Sequence, residues 1–465
     1  MARQSTLRGA VPNTPTARDA AWRHPLLLVA LLMILAVALG GGGVRYGLNN
    51  LAVQLGAFGV LAVHRDAFFR FWRNSPIVLR VLVGLTLLIP ILQLVPVPES
   101  VWSALPGRDL VAQSLAIVEA GSWRSTSVDP ARTLVALTGL LLPLVILAVG
   151  WAIPRRHLMT IGWVVVALGL VSFAIGILQV LGGGNTVVFY PERGPTGLLY
   201  GTFANRNSAG LFLVAALTLA ALLPLPLARP HPAGLPVRLG ICALLLLAVI
   251  LTRSRTAFVL AAIPIALGAL RGISAWRGAR ALASDGNRSS LLVFGAIALS
   301  LAALASVVVI APGRVGSVVE RFEARDDARV YIWQDAAYSA ERFWPVGAGM
   351  GAFDEVYQVD ESLEFLTERR AGRAHNDYLE LAIEAGIGGL ALAAIWLLLV
   401  GWLAWRAGRS QLRWPAWGGA AILLSIALQS ITDYPLRNQS LLALAAFAML
   451  LLARIADDPE REGQR

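Results

Sequence analysis

PLLLVALLMILAVALGG, residues 25–41, runs for 17 positions without a charged side chain. That is close to the roughly 20 apolar residues needed to cross a bilayer as a helix. The polar, arginine-containing stretch 1–24 precedes it, and the following glycines make a poor signal-peptidase site, so the run reads as a retained first span. Further apolar runs follow at 47–63, 76–96, 133–153, 158–181, 208–228, 238–251, 257–270, 291–311, 386–405, 415–431 and 441–456. The expected fold is therefore an all-α integral membrane protein with about twelve transmembrane helices. One large loop, 312–378, interrupts them and contains short helices of its own.

Composition agrees with that frame. Of the 465 residues, 57% are hydrophobic and only 14% charged, which excludes an ordinary soluble domain. The net charge of +11 does not point to nucleic acid, because the basic residues sit in short clusters between apolar runs. All 39 basic residues are arginine. The single cysteine, Cys242, rules out an intrachain disulfide, and the five histidines include no HxxxH pair, so neither a metal nor another cofactor is expected.

Arginine counts orient the chain. With residues 1–24 and 457–465 as cytoplasmic tails, the loops 64–75, 154–157, 229–238, 271–290 and 406–413 fall on the same side, and these segments together hold 20 arginines. The opposite side holds 17, eight of them in the long loop 312–378, and long loops escape the positive-inside rule. Twenty against nine places the long loop outside the inner membrane, in the periplasm. The chain then divides into spans one to nine (25–311), the periplasmic loop (312–378) and spans ten to twelve (379–456).

Against this topology, TRSRTA at 252–257 is anomalous. Arg253 and Arg255 occupy a very short outer turn, the side that disfavours arginine. Snorkelling to headgroup phosphates would explain them; so would a cationic site for an anionic, membrane-embedded substrate, since guanidinium suits bidentate phosphate binding. In ARDDARVYIW, a helix from Ala328 to Ala340 would put Arg329 and Trp333 on one face. Arg325, Asp326 and Asp327 read as a solvated charged face. RAHNDYLELAIEAGIGG lies where the long loop re-enters the membrane, and His375 is the only histidine in an outer loop. Imidazole accepts a proton near neutral pH, which makes His375 the candidate base, although an isolated loop histidine is more often structural. Asn376 or Asp377 would cap the next helix, with Glu380 suiting its dipole. In GTFANRNSAGLF, Asn207 or Ser208 would cap a span, leaving Asn205 and Arg206 just outside it. DYPLRNQS puts Asp433 and Arg437 in a last outer loop, where a mutual charge pair is the simplest expectation.

Taken in order, GTFANRN, the SRT turn, RVYIW with PVGAGMGAF, HNDYLELAIEAGIGG and DYPLRN resemble the O-antigen ligase and polymerase superfamily over roughly residues 195–450. The resemblance implies a metal-independent, inverting membrane glycosyltransferase whose donor is an undecaprenyl-diphosphate-linked glycan. The acceptor would be lipid A–core in a ligase, or a second lipid-linked glycan in a polymerase. It further implies that Arg255, Arg329 and His375 are catalytic, with Arg253, Arg206, Asn205, Asn376 and Arg437 around the substrate. Membrane lipids are the remaining partners, and nucleic acid is not one. A lipid-linked-oligosaccharide flippase would instead show charges deep in the spans and internal symmetry, neither of which the sequence contains. A scaffold or sensor leaves the outer arginines unexplained.

The topology is tested by phosphatase fusions at Gly286 and Glu364: activity is expected at Glu364 alone, and activity at Gly286 overturns the orientation.

Overall fold

The computed structural model describes residues 24–117, 122–182, 186–191, 197–226, 233–282, 329–366 and 370–457. In chain order the helices are α1 (Pro25–Leu39), α2 (Gly47–Val63), α3 (Arg65–Asn74), α4 (Ile77–Leu94), α5 (Glu99–Trp102), α6 (Asp109–Ile117), α7 (Pro130–Gly139), α8 (Leu141–Gly150) and α9 (Arg155–Leu181). They continue with α10 (Arg206–Leu222), α11 (Gly234–Leu251), α12 (Arg255–Leu260), α13 (Ala262–Leu282), α14 (Arg329–Phe343), α15 (Phe353–Asp360), α16 (Asp377–Ala407), α17 (Arg413–Gln429) and α18 (Gln439–Ala456). A two-stranded ribbon of β1 (Pro96–Pro98) and β2 (Trp123–Ser125) pairs antiparallel.

This is an all-α membrane protein. Eight helical segments are long and apolar enough to cross a bilayer, and α2 and α10 are shorter apolar helices. Helices occupy eleven of the twelve apolar runs; the twelfth, 291–311, lies outside the described residues. The bundle is built around α18, whose spanning window is 83% buried, against 17–50% for the other seven. Outer faces carry exposed Leu31, Leu55, Phe58, Leu88 and Leu398, the inverse of a soluble protein's surface and what lipid contact requires.

Two expectations need correction. The segment 64–75 is not a bare loop: α3 buries Ala67 and Phe71, the latter edge-on to Trp151 at 5.7 Å, and leaves Arg70 and Arg73 exposed. Its apolar residues recur at helical spacing inside an arginine-rich stretch, which masks them in a hydropathy profile. The helix expected to end at Ala340 runs on to Phe343, and its expected first residue, Ala328, lies outside the described residues.

At the N-terminal end of α16 the extramembrane segments form a small second core of Ala336, Phe343, Ala348, Phe353, Tyr357 and Ile383. Arg108 ties its two halves together, donating to the carbonyls of Thr126 at 2.5 Å and Gly347 at 3.0 Å while lying over the Phe343 ring. Burial, with a smaller contribution from Arg342, lowers its pKa to about 10, so it remains charged.

The core is clamped to α16 at a kink. Gly386 has φ 57° and ψ −146°, a conformation that only glycine adopts readily. The kink frees backbone groups, and the Gly-rich loop takes them up: Ala348 and Gly349 N–H donate to Ile383 and Glu384 carbonyls at 2.7 and 2.9 Å, and Ile387 N–H donates to Pro345 at 3.0 Å. A Cβ on Gly386 would sit 1.9 Å from the Pro345 carbonyl oxygen. Gly386→Ala is therefore expected to lose about 2–3 kcal/mol or more, from strain plus clash. Gly388→Ala, with nothing within 4 Å of the new methyl, should be neutral. Thermal unfolding in detergent compares the two; equal melting temperatures would contradict the clamp.

Candidate active site

Asn376 caps α16, its Oδ1 accepting from Tyr378 N–H at 3.0 Å and Leu379 N–H at 3.1 Å. Immediately before it, His375 is held at φ 52°, a left-handed conformation unusual for a side-chain-bearing residue and frequent where function demands it. Its neighbours enforce that geometry. Ala374 N–H donates to Glu380 Oε1 at 3.0 Å, the Trp333 indole N–H donates to the Ala374 carbonyl at 2.8 Å, and Asp377 N–H donates to the Ser430 carbonyl at 2.8 Å.

His375 Nδ1 lies 3.2 Å from Asp433 Oδ1, and the carboxylate is almost wholly buried. Asn205 Nδ2 donates to the other carboxylate oxygen at 3.3 Å. A carboxylate partner fixes the proton on Nδ1 and leaves the Nε2 lone pair for a substrate proton. The imidazole is partly solvent-accessible and tilts against Tyr434, 5.0 Å between centroids. Burial, then the Asp433 charge, pushes that phenol up to about 12, so Tyr434 is neutral beside the histidine.

The other sequence motifs converge here. Asn205, not Asn207 or Ser208, caps α10, accepting from Asn207 N–H at 2.8 Å. Ser254 caps α12 and donates through its hydroxyl to Asn207 Oδ1 at 2.8 Å. Thr256 and Thr432 hydroxyls meet at 3.2 Å, and Gln429 Nε2 donates to the Asn207 carbonyl. Thus the arginine turn, the start of α10, the loop after α17 and the His375 segment form one connected network, joined to α14 through Trp333.

Arg206 and Arg255 are the first residues of α10 and α12, Arg329 is the first described residue of α14, and each is half-buried. Arg253 has φ 50°, a second strained non-glycine residue in the network. Arg325, Asp326 and Asp327 lie outside the described residues.

The expected Asp433–Arg437 pair does not form. Asp433 serves His375, while Arg437 is buried among three carboxylates of α16: Glu384 at 2.7 Å, Glu380 at 3.3 Å and Asp377 at 3.6 Å. Burial alone would depress its pKa, but Glu384, Glu380 and Asp377 raise it well above its ordinary value. Glu380 also accepts from Arg373 at 3.0 Å. The missed signal was the acid spacing in DYLELAIE: positions 377, 380 and 384 share one helix face inside an apolar run, which demands a buried cation. Among the described residues, no group of three or more His, Cys, Asp and Glu is arranged to hold a metal ion.

Residues 240–394, a third of the chain, match the family model described as O-antigen ligase. That segment is similar to the O-antigen ligase family. The ligase-family segment includes Arg253, Arg255, Arg329 and His375 and the α16 kink, but Asn205, Asp433 and Arg437 lie outside it. No curated protein matches the chain. The family gives the general activity, glycosyl transfer from lipid-linked glycans in a multi-pass membrane protein that takes part in polysaccharide biosynthesis.

Proposed function

We propose that this chain is a metal-independent, inverting glycosyltransferase of the ligase type, acting at the periplasmic face of the inner membrane. It moves a glycan from an undecaprenyl-diphosphate donor to lipid A–core. The observation that carries the reading is the His375–Asp433 pair within a hydrogen-bonded network that reaches the arginine turn and the start of α10. A polymerase acting on a second lipid-linked glycan uses the same chemistry and is the alternative.

In the proposed step the acceptor hydroxyl oxygen attacks the anomeric carbon of the donor sugar. Its proton passes to His375 Nε2, and the resulting imidazolium is stabilised by Asp433. The bond from the anomeric carbon to the diphosphate oxygen breaks, and the lipid diphosphate leaves with the electron pair. Arg255 and Arg329, supported by Arg253 and Arg206, neutralise the charge that develops there. Asn205 and Asn376 act through other groups: the first holds Asp433 and the second caps α16 behind His375. Arg437, saturated by carboxylates, sets the shape of the His375 segment rather than meeting substrate.

Removing a positioned base lowers rate by about 10²–10⁴. His375→Gln should lose that much transfer with normal membrane abundance and donor binding, and Asp433→Asn should lose part of it. Arg255→Ala and Arg329→Ala should lose donor binding, with lysine restoring only a fraction. Full transfer by His375→Gln would refute the base.

A further inference from the structure

Ala374, immediately before the candidate base, is fully buried, so its peptide groups must find their partners in protein. They are gripped from two sides. The N–H donates to Glu380 Oε1 at 3.0 Å, and the carbonyl accepts from the Trp333 indole N–H at 2.8 Å. Glu380 sits on α16, just beyond the His375 segment, and is held by Arg373 and Arg437. Trp333 comes from α14, 41 positions away, and enters from the extramembrane core.

The second grip acts on His375 directly. The Ala374 carbonyl and the His375 N–H belong to one planar peptide, so the direction of that carbonyl is coupled to the φ of His375. That φ is 52°, and a side-chain-bearing residue in the left-handed region costs about as much as one hydrogen bond returns. Losing the indole N–H therefore removes a restraint of the same size as the strain it opposes. Rotation about φ swings the imidazole away from Asp433 Oδ1, now 3.2 Å from Nδ1.

Trp333 also stands on a firm mount. One turn on, Ala336 packs in the second core with Ile383 of α16. Asp335 accepts from Ser362 N–H at 3.0 Å and from the Ser362 hydroxyl, and the Ser339 hydroxyl donates to Asp360 at 2.7 Å. Arg342 pairs with the same Asp360 carboxylate at 3.1 Å. These bonds fasten α14 to the segment after α15, so its first turn is not free to follow Ala374 if that peptide turns.

We propose that Trp333 is a positioning residue for the base: by holding the Ala374 carbonyl it sets the backbone of His375 and aims Nε2 at the acceptor hydroxyl. It acts through His375 and not on substrate, and the assignment rests on the transferase reading above. Arg329 lies one turn earlier on the same helix, so the cation assigned to the leaving group and the residue that aims the base are carried by one rigid element.

The test uses the full chain in detergent with an undecaprenyl-diphosphate glycan as donor and lipid A–core as acceptor. Trp333→Phe keeps an aromatic ring without the N–H; benzothienylalanine at position 333 keeps the whole shape and replaces the N–H with sulfur. Both should lower kcat about tenfold, the effect of one lost positioning hydrogen bond, with KM for donor and acceptor unchanged. The isostere should also keep the melting temperature. In a His375→Gln background it should cost nothing further, because no base is left to aim. Normal kcat in the isostere, a loss confined to KM, or the same tenfold loss repeated on top of His375→Gln overturns the proposal. Normal transfer by His375→Gln alone sinks the base reading and this role with it. Lost transfer there beside a fully active isostere sinks the positioning role only.

Discussion

One guanidinium inside three carboxylates governs the architecture around His375. Arg437 reaches α16 from the loop before α18, and Asp377, Glu380 and Glu384 present their acids to it from successive turns. None of these four charges is tolerable alone in a buried, partly membrane-embedded position; removing one member of such a group typically costs 3–5 kcal/mol. Because they must stay together, α16 cannot shift against the 430–438 loop. That loop carries Asp433, so the same constraint fixes the acid opposite the histidine. Glu380 extends the constraint to the backbone at Ala374, and Glu384 extends it through its carbonyl to the Gly-rich loop.

Strain is concentrated where this network meets solvent. His375 and Arg253 both hold left-handed backbone angles. Stability is supplied elsewhere, by the deeply buried α18 and by the second core under Arg108. Rigid support under a strained, partly exposed histidine is the arrangement expected of a preorganised base, and a loop histidine without such support would relax.

How much of this the sequence shows depends on whether the signal is local. Apolar runs mark the spans because each run is its own evidence, and the kink at Gly386 coincides with the predicted start of a span. Asn376 as a cap and Arg329 with Trp333 on one helix were legible for the same reason. α3 was missed because arginines lower the mean hydropathy of a stretch whose periodicity is helical. The partners of Asp433 and Arg437 were missed because the deciding contacts join residues 53 or more positions apart. Two opposite charges four residues apart read naturally as a pair, and only the fold shows that each is taken by α16 or by the segment before it.

The central claim is a single displacement at the anomeric carbon, driven by a hydroxyl that His375 deprotonates. The anomeric configuration of the linkage made by the purified chain from a lipid-diphosphate donor of known configuration tests it most directly, by NMR of the released product. Inversion is the result expected of one in-line attack. Retention requires a covalent intermediate or a second displacement, for which the site described here gives His375 no role, and would contradict the account.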